Sequence, residues 1–194
     1  RERFGHWIEH GSPQDLLNAS IYFDFRALAG DRALAERLRE WVTPRAKATP
    51  RFLRQLALNG LRQGAPLNWL GNIDTTEVEG RQTLDLKLQG TALVVDVARL
   101  YALANGVSAT GTRERLASVG PPMGVPPAEH QAWIGAFDFL QTLRLRAQLD
   151  GRTVAGNPNR IALDDLHDID RRLLKEVLRV LRSLQQRVRL DYER

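Results

Sequence analysis

Between Thr91 and Asn105, Leu93, Val94, Val97, Leu100, Tyr101 and Ala104 recur at helical spacing and make an unusually broad apolar surface. A stripe that wide predicts a central, well-buried helix, which other helices must surround. Asp96 and Arg99 are set into the same segment, three residues apart and so neighbours on one face. An unpaired charge in such a place would be costly. The pair therefore either orients a bound group or forms an ion pair that locks the packing of the helix. The spacing leaves both readings open.

The neighbouring segments supply further helices. Residues 2–10 form a short amphipathic helix through Phe4, Trp7 and Ile8. Ser12-Pro13 is a capping residue followed by a proline suited to the first helical position. Leu17, Ile21, Phe25 and Leu28 then follow at helical spacing as far as Gly30. A strand over 20–26 competes, because Ile21, Phe23 and Phe25 alternate with Tyr22, Asp24 and Arg26. The agreement of the two end signals favours a helix over 13–29. On it Asp24 and Arg26 stand two apart and do not face each other. Each needs a partner elsewhere, such as Arg99, or faces a cleft shared with an upstream domain.

Asp31 caps a helix with Leu34, Leu38, Trp41 and Val42 on one face, and Thr49-Pro50 opens another to about Gln63. The period then changes. Leu84, Leu86 and Leu88 alternate with Asp85 and Lys87, and Glu79-Gly80 reads as a turn, so 68–88 is expected to be a β-hairpin. It is the only strong β signal in the chain. Helical patterns return over 112–119, from Pro126-Pro127 to Leu149, and over 168–192. The fold class expected is mainly α: a helical bundle of four or more long helices with a small β-hairpin appendage.

Composition narrows the chemistry. The 194 residues contain no cysteine, which removes thiolate catalysis, disulfides and cysteine metal sites, and fits a cytoplasmic location. No apolar stretch is long enough to span a membrane, and no signal-peptide pattern is present. The chain starts at Arg1 and has Met123 as its sole methionine, so it reads as a piece of a longer protein. The net charge is +5, but the arginines are spread out and few aromatics lie among them, which does not favour nucleic acid as a partner.

Arg144 and Arg146, with Gln148, could hold an anion such as phosphate, or could be a solvated face or an inter-helix ion pair. His6 and His10 are four apart, but two ligands are too few for a metal. There is no Gly-x-Ser-x-Gly elbow, Walker loop or Gly-x-Gly-x-x-Gly motif. No catalytic residue and no metal ligand is assigned.

Tyr22-Phe-Asp-Phe-Arg26 with Gly30-Asp31, the Asp85-Leu-Lys87 segment and Val95-Asp-Val-Ala-Arg-Leu-Tyr-Ala-Leu103 resemble the substrate-binding domain family that accompanies bacterial nucleotidyltransferases. Arg113-x-Arg-Leu116, Leu143-Arg-Leu-Arg-x-Gln148 and Asp170-Arg-Arg-Leu-Leu-Lys-Glu176 continue the resemblance. It implies a C-terminal accessory domain behind a catalytic domain similar to that of PII uridylyltransferase, often with cystathionine-β-synthase-type repeats further upstream and a role in signal transduction. Residues 1–30 would adjoin that upstream domain, and 31–194 would be the substrate-binding bundle. The family's catalytic Gly-Ser and Asp-x-Asp motifs are not found here at usable spacing. The resemblance therefore implies no cofactor in this chain, and magnesium with a nucleoside triphosphate for the parent. The implied partners are the upstream nucleotidyltransferase domain of the same polypeptide, a protein acceptor, or a second copy. Asp24, Arg26, Asp96 and Arg99 are the leading candidates for a functional polar layer. The alternative is a structural module for dimerisation or signal relay with no substrate contact.

Overall fold

Eight α-helices and a small three-stranded sheet make up the computed structural model, which describes residues 1–193 apart from the side chains of residues 13, 14 and 17–19. Leu17, placed above on an apolar helix face, is thus outside the described side chains. The helices are α1 (Glu2–His10), α2 (Pro13–Tyr22), α3 (Arg32–Lys47), α4 (Pro50–Gly60), α5 (Ala92–Asn105), α6 (Thr112–Val119), α7 (Pro127–Leu149) and α8 (Asp168–Tyr192). The strands are β1 (Thr76–Val78), β2 (Arg81–Asp85) and β3 (Arg160–Ala162). The fold is mainly α with a small β appendage.

The chain divides into two compact units. One comprises Arg1–Arg62, Asp96–His130 and Val188–Arg194, and the other Gln63–Val95 and Gln131–Arg187.

In the first unit, α2 starts with a complete capping box. The Asp15 amide donates to the Ser12 hydroxyl, and the Ser12 amide donates to the Asp15 carboxylate. The helix stops at Tyr22 instead of running to residue 29. The reason lies in the aromatic residues that follow. The Phe4 ring of α1 meets Phe23 at 5.3 Å and Phe25 at 5.7 Å between centroids, and Phe23 also meets Phe52 of α4 at 5.3 Å. Both Phe23 and Phe25 turn toward α1, which one helical face with Ile21 and Leu28 would not permit. Ile21 and Leu28 are left exposed. Gly30 does take a positive φ of 77°, but in a bend before α3 and not at a helix end.

In the second unit the sheet runs β1-β2-β3, antiparallel throughout. The hairpin is shorter than the expected 68–88. Residues 68–74 instead form a loop closed by hydrogen bonds from the Asn68 amide to the Asn72 carbonyl and from the Asn72 amide to the Asn68 side chain. At the other end, the buried Asp85 carboxylate accepts the amides of Lys87 at 3.0 Å and Leu88 at 2.8 Å. That draws the chain out of the strand into a wide helical turn over Lys87–Thr91. Leu84 and Leu86 are fully buried, whereas Leu88 is 56% exposed. The third strand pairs Ile161 with Leu84 and lay outside the sequence expectation. Leu140, Leu174 and Leu178 are fully buried in this unit, and Trp133 nearly so.

Candidate functional site

The first unit contains a layer of ionised groups. Arg99 comes from the buried face of α5 and is only 6% exposed. Its Nε donates to Asp24 Oδ1 at 3.2 Å and its Nη2 to Asp24 Oδ2 at 2.5 Å, a fork-to-carboxylate pair. Its Nη1 donates to Asp96 Oδ1 at 2.9 Å, one helical turn away. Arg115 of α6, 2% exposed, approaches Asp24 from another side and donates to Oδ1 at 2.5 Å. Its Nε donates to the Ala109 carbonyl at 2.8 Å.

The cations are thus buried and the carboxylates lie nearer the surface. The side chains of Asp24 and Asp96 remain 32% and 38% exposed. Their electrostatics diverge. Burial pushes the Asp24 carboxyl up, but the hydrogen bonds and charge of Arg99, then those of Arg115, outweigh it and hold Asp24 below its ordinary value. Asp96 is pushed up by burial, opposed only by Arg99, and the negative charge of Asp24 adds to the rise. Asp24 is therefore a fixed anion saturated by two guanidinium groups. Asp96 uses one oxygen on Arg99, and its Oδ2 has no hydrogen-bond partner among the described residues. It can accept a hydrogen bond from a ligand or take up a proton more readily than Asp24 can.

Of the candidates named from the sequence, Asp24, Asp96 and Arg99 come together. Arg26 does not join them: it is exposed and lines a cavity next to the layer with Arg39. Arg144 and Arg146 lie in the second unit. The Arg144 Nη1 donates to the Thr91 hydroxyl at 3.4 Å, and Arg146 lines a small cavity with Asp150 and His167. Arg115 entered the sequence reading only within the Arg113-x-Arg-Leu116 resemblance, near a helix start. Its signal was its place next to Leu116 and four residues before Val119, both fully buried, which puts it on the inner face of α6. Arg39 was not singled out at all. Its guanidinium lies 4.3 Å over the Phe25 ring and donates to the Phe25 carbonyl.

Among the described residues no group of three or more histidines, aspartates or glutamates could hold a metal ion. The Asp24 carboxylate, already held by two arginines, does not suit one. Among the described residues no helix is long and apolar enough to cross a membrane.

Neither the curated proteins nor the solved structures compared with the chain gave a match. A family model described as "Putative nucleotidyltransferase substrate binding domain" matches residues 50–192, which include Asp96, Arg99 and Arg115 but not Asp24. That match spans most of the chain and agrees with a helical domain whose α5 carries the charged pair, so the chain belongs to this family of nucleotidyltransferase substrate-binding domains.

Proposed function

We propose that the chain is the C-terminal accessory domain of a bacterial nucleotidyltransferase resembling PII uridylyltransferase, and that it helps bind the nucleotide or a protein acceptor without carrying the catalytic motif. The family match is the observation that carries this reading. The polar layer supports it further. Two carboxylates with solvent-facing edges are held rigid by buried guanidinium groups, which is an arrangement suited to orienting a partner group. In this reading residues 1–30 adjoin the upstream catalytic domain, residues 31–194 form the substrate-binding bundle, and magnesium and a nucleoside triphosphate serve the parent protein.

The test is label transfer by the full parent protein, supplied with magnesium, labelled UTP or ATP and a cell extract. Labelling lost when residues 1–194 are deleted, with the remainder still folded, supports the reading. Labelling unchanged by the deletion sinks it.

One observation favours a structural interaction module instead. Trp69 is 90% exposed and adjoins the exposed Leu70. Their loop is braced by Lys175 donating to the Asn72 side chain and by Arg182 donating to the Leu67 and Asn68 carbonyls. A large apolar tip on a rigid loop suits a protein contact. Retained labelling with loss of dimerisation on deletion would establish that alternative.

A further inference from the structure

Arg32, Ala35, Glu36 and Arg39 share one face of α3 at helical spacing. Together with Arg26 this face lines a cavity of about 310 Å³ whose other wall is the loop carrying Ser108 and Thr110. That volume is at the lower end of the range for small-molecule sites.

The cavity wall has more cations than anions. Arg26, Arg32 and Arg39 reach it, against Glu36 and Glu114. None of the three arginines has an ion pair among the described residues. Arg39 is the one that matters most, because it is half-buried. Its guanidinium is fixed in plane by the Phe25 ring and by the Phe25 carbonyl. Burial, and then the like charge of Arg115, pull its pKa below the ordinary value, and Asp24 only partly offsets them. Behind it, Arg99 and Arg115 hold Asp24 and Arg99 also holds Asp96, so neither carboxylate is paired with Arg39. The excess of positive charge at the cavity is therefore that of its own wall, three guanidinium groups against two carboxylates.

We propose that this cavity is an oxyanion subsite that takes a phosphate group of a nucleotide, with Arg39 as its planar fork and the Ser108 and Thr110 hydroxyls as further donors. A preoriented guanidinium matches phosphate oxygens in pairs, and the nearby exposed Arg26 and Arg32 supply charge for more than one phosphate. A bound anion would also offset the repulsion between Arg39 and Arg115. The inference deepens the reading given above and rests on it only for where the nucleotide comes from.

The test is calorimetric titration of the 194-residue chain at low salt with UTP, with ATP and with inorganic phosphate. Saturable binding of a triphosphate is expected, weakened by roughly 10–100-fold in Arg39→Gln, as for loss of a hydrogen-bonded charged group. Arg39→Gln also removes the Phe25 contacts, so Ala35→Glu is the second variant. It adds a carboxylate to the cavity wall, leaves Arg39 in place and should weaken binding comparably. Arg54→Gln, on the exposed face of α4, should bind as the unmodified chain does. Inorganic phosphate binding as tightly as the triphosphates would support the oxyanion chemistry and make free phosphate its source. No saturable binding, or binding by both Arg39→Gln and Ala35→Glu as tight as that of the unmodified chain, overturns the proposal. Nucleotide bound here while label transfer by the parent survives deletion of the domain would keep this inference and sink the reading above. Transfer lost on deletion, with no nucleotide bound here, would do the reverse.

Discussion

Two aspartates of one charged layer should respond to the same substitution in opposite directions. Asp24→Asn removes the charge that compensates both buried arginines. Arg99 keeps Asp96, but Arg115 keeps only the carbonyls of Ala109 and Phe23. Breaking a buried pair by removing one partner costs about 3–5 kcal/mol. Asp24 is a third exposed, so water compensates part of that loss, and about 2–3 kcal/mol is expected. For a chain of this size that lowers Tm by about 5–10 °C. Asp96→Asn should instead be neutral or stabilising at pH 7. The Asp24 carboxyl titrates below its unfolded value. Its stabilisation is therefore complete above the unfolded pKa of about 3.9 and is lost as the pH falls through the lower folded value. Asp96 titrates above its unfolded value. Its contribution is complete below about pH 3.9 and is lost as the pH rises through the raised folded value. Urea unfolding followed by circular dichroism, at pH 7 and at pH 4.5, measures both variants. Asp24→Asn within about 0.5 kcal/mol of the unmodified chain, or Asp96→Asn destabilised as much as Asp24→Asn, would refute the assignment.

Three further outcomes follow from local geometry. Asp85→Ala should cost about 2–3 kcal/mol in the same unfolding assay, because the amides of Lys87 and Leu88 and the Asn157 side chain all lose their acceptor. Glu79→Asn should raise Tm by a degree or more, since Glu79 (φ 53°) and Gly80 (φ 74°) form a hairpin turn with both central residues left-handed, where Asn-Gly is favoured. Gly120→Ala should lower stability by about 1–3 kcal/mol, because the added Cβ would stand 2.4 Å from the His130 ring, which is itself tied to the Leu116 carbonyl.

The parts of the fold that were legible in the sequence are those where local signals suffice. Helices α6 and α8 begin and end where the periodicity and flanking residues place them, because each has a stop or a charged first turn in its own sequence. The end of α2 was not legible. Phe23 and Phe25 leave the helix to reach Phe4, and nothing within 13–29 reveals a ring on α1. The alternation of Leu84, Leu86 and Leu88 looked like one long strand, yet the side chain of Asp85 ends it by capping the next turn. Strand β3 is three residues long and is held by a partner about eighty residues earlier, too little sequence to carry a period. The candidate site follows the same rule. Asp96 and Arg99 stood out as charges in an apolar stripe. Arg39 did not, because on sequence it is one of many arginines on a helix, and only its seat over Phe25 sets it apart.

The segment composition of the first unit has a consequence for synthesis. It needs residues 1–62, then 96–130, then the segment that begins at Val188. The Tyr101 hydroxyl donates to Asp191, and Val188 is almost fully buried. A nascent chain therefore cannot complete this unit around α5 until Val188 and Asp191 have left the ribosome, and the apolar faces of α4 and α5 must wait. Contacts this distant in sequence slow folding. A chain cut before Val188 should fold incompletely, so the Val188–Asp191 stretch of α8 acts as the checkpoint for the whole unit.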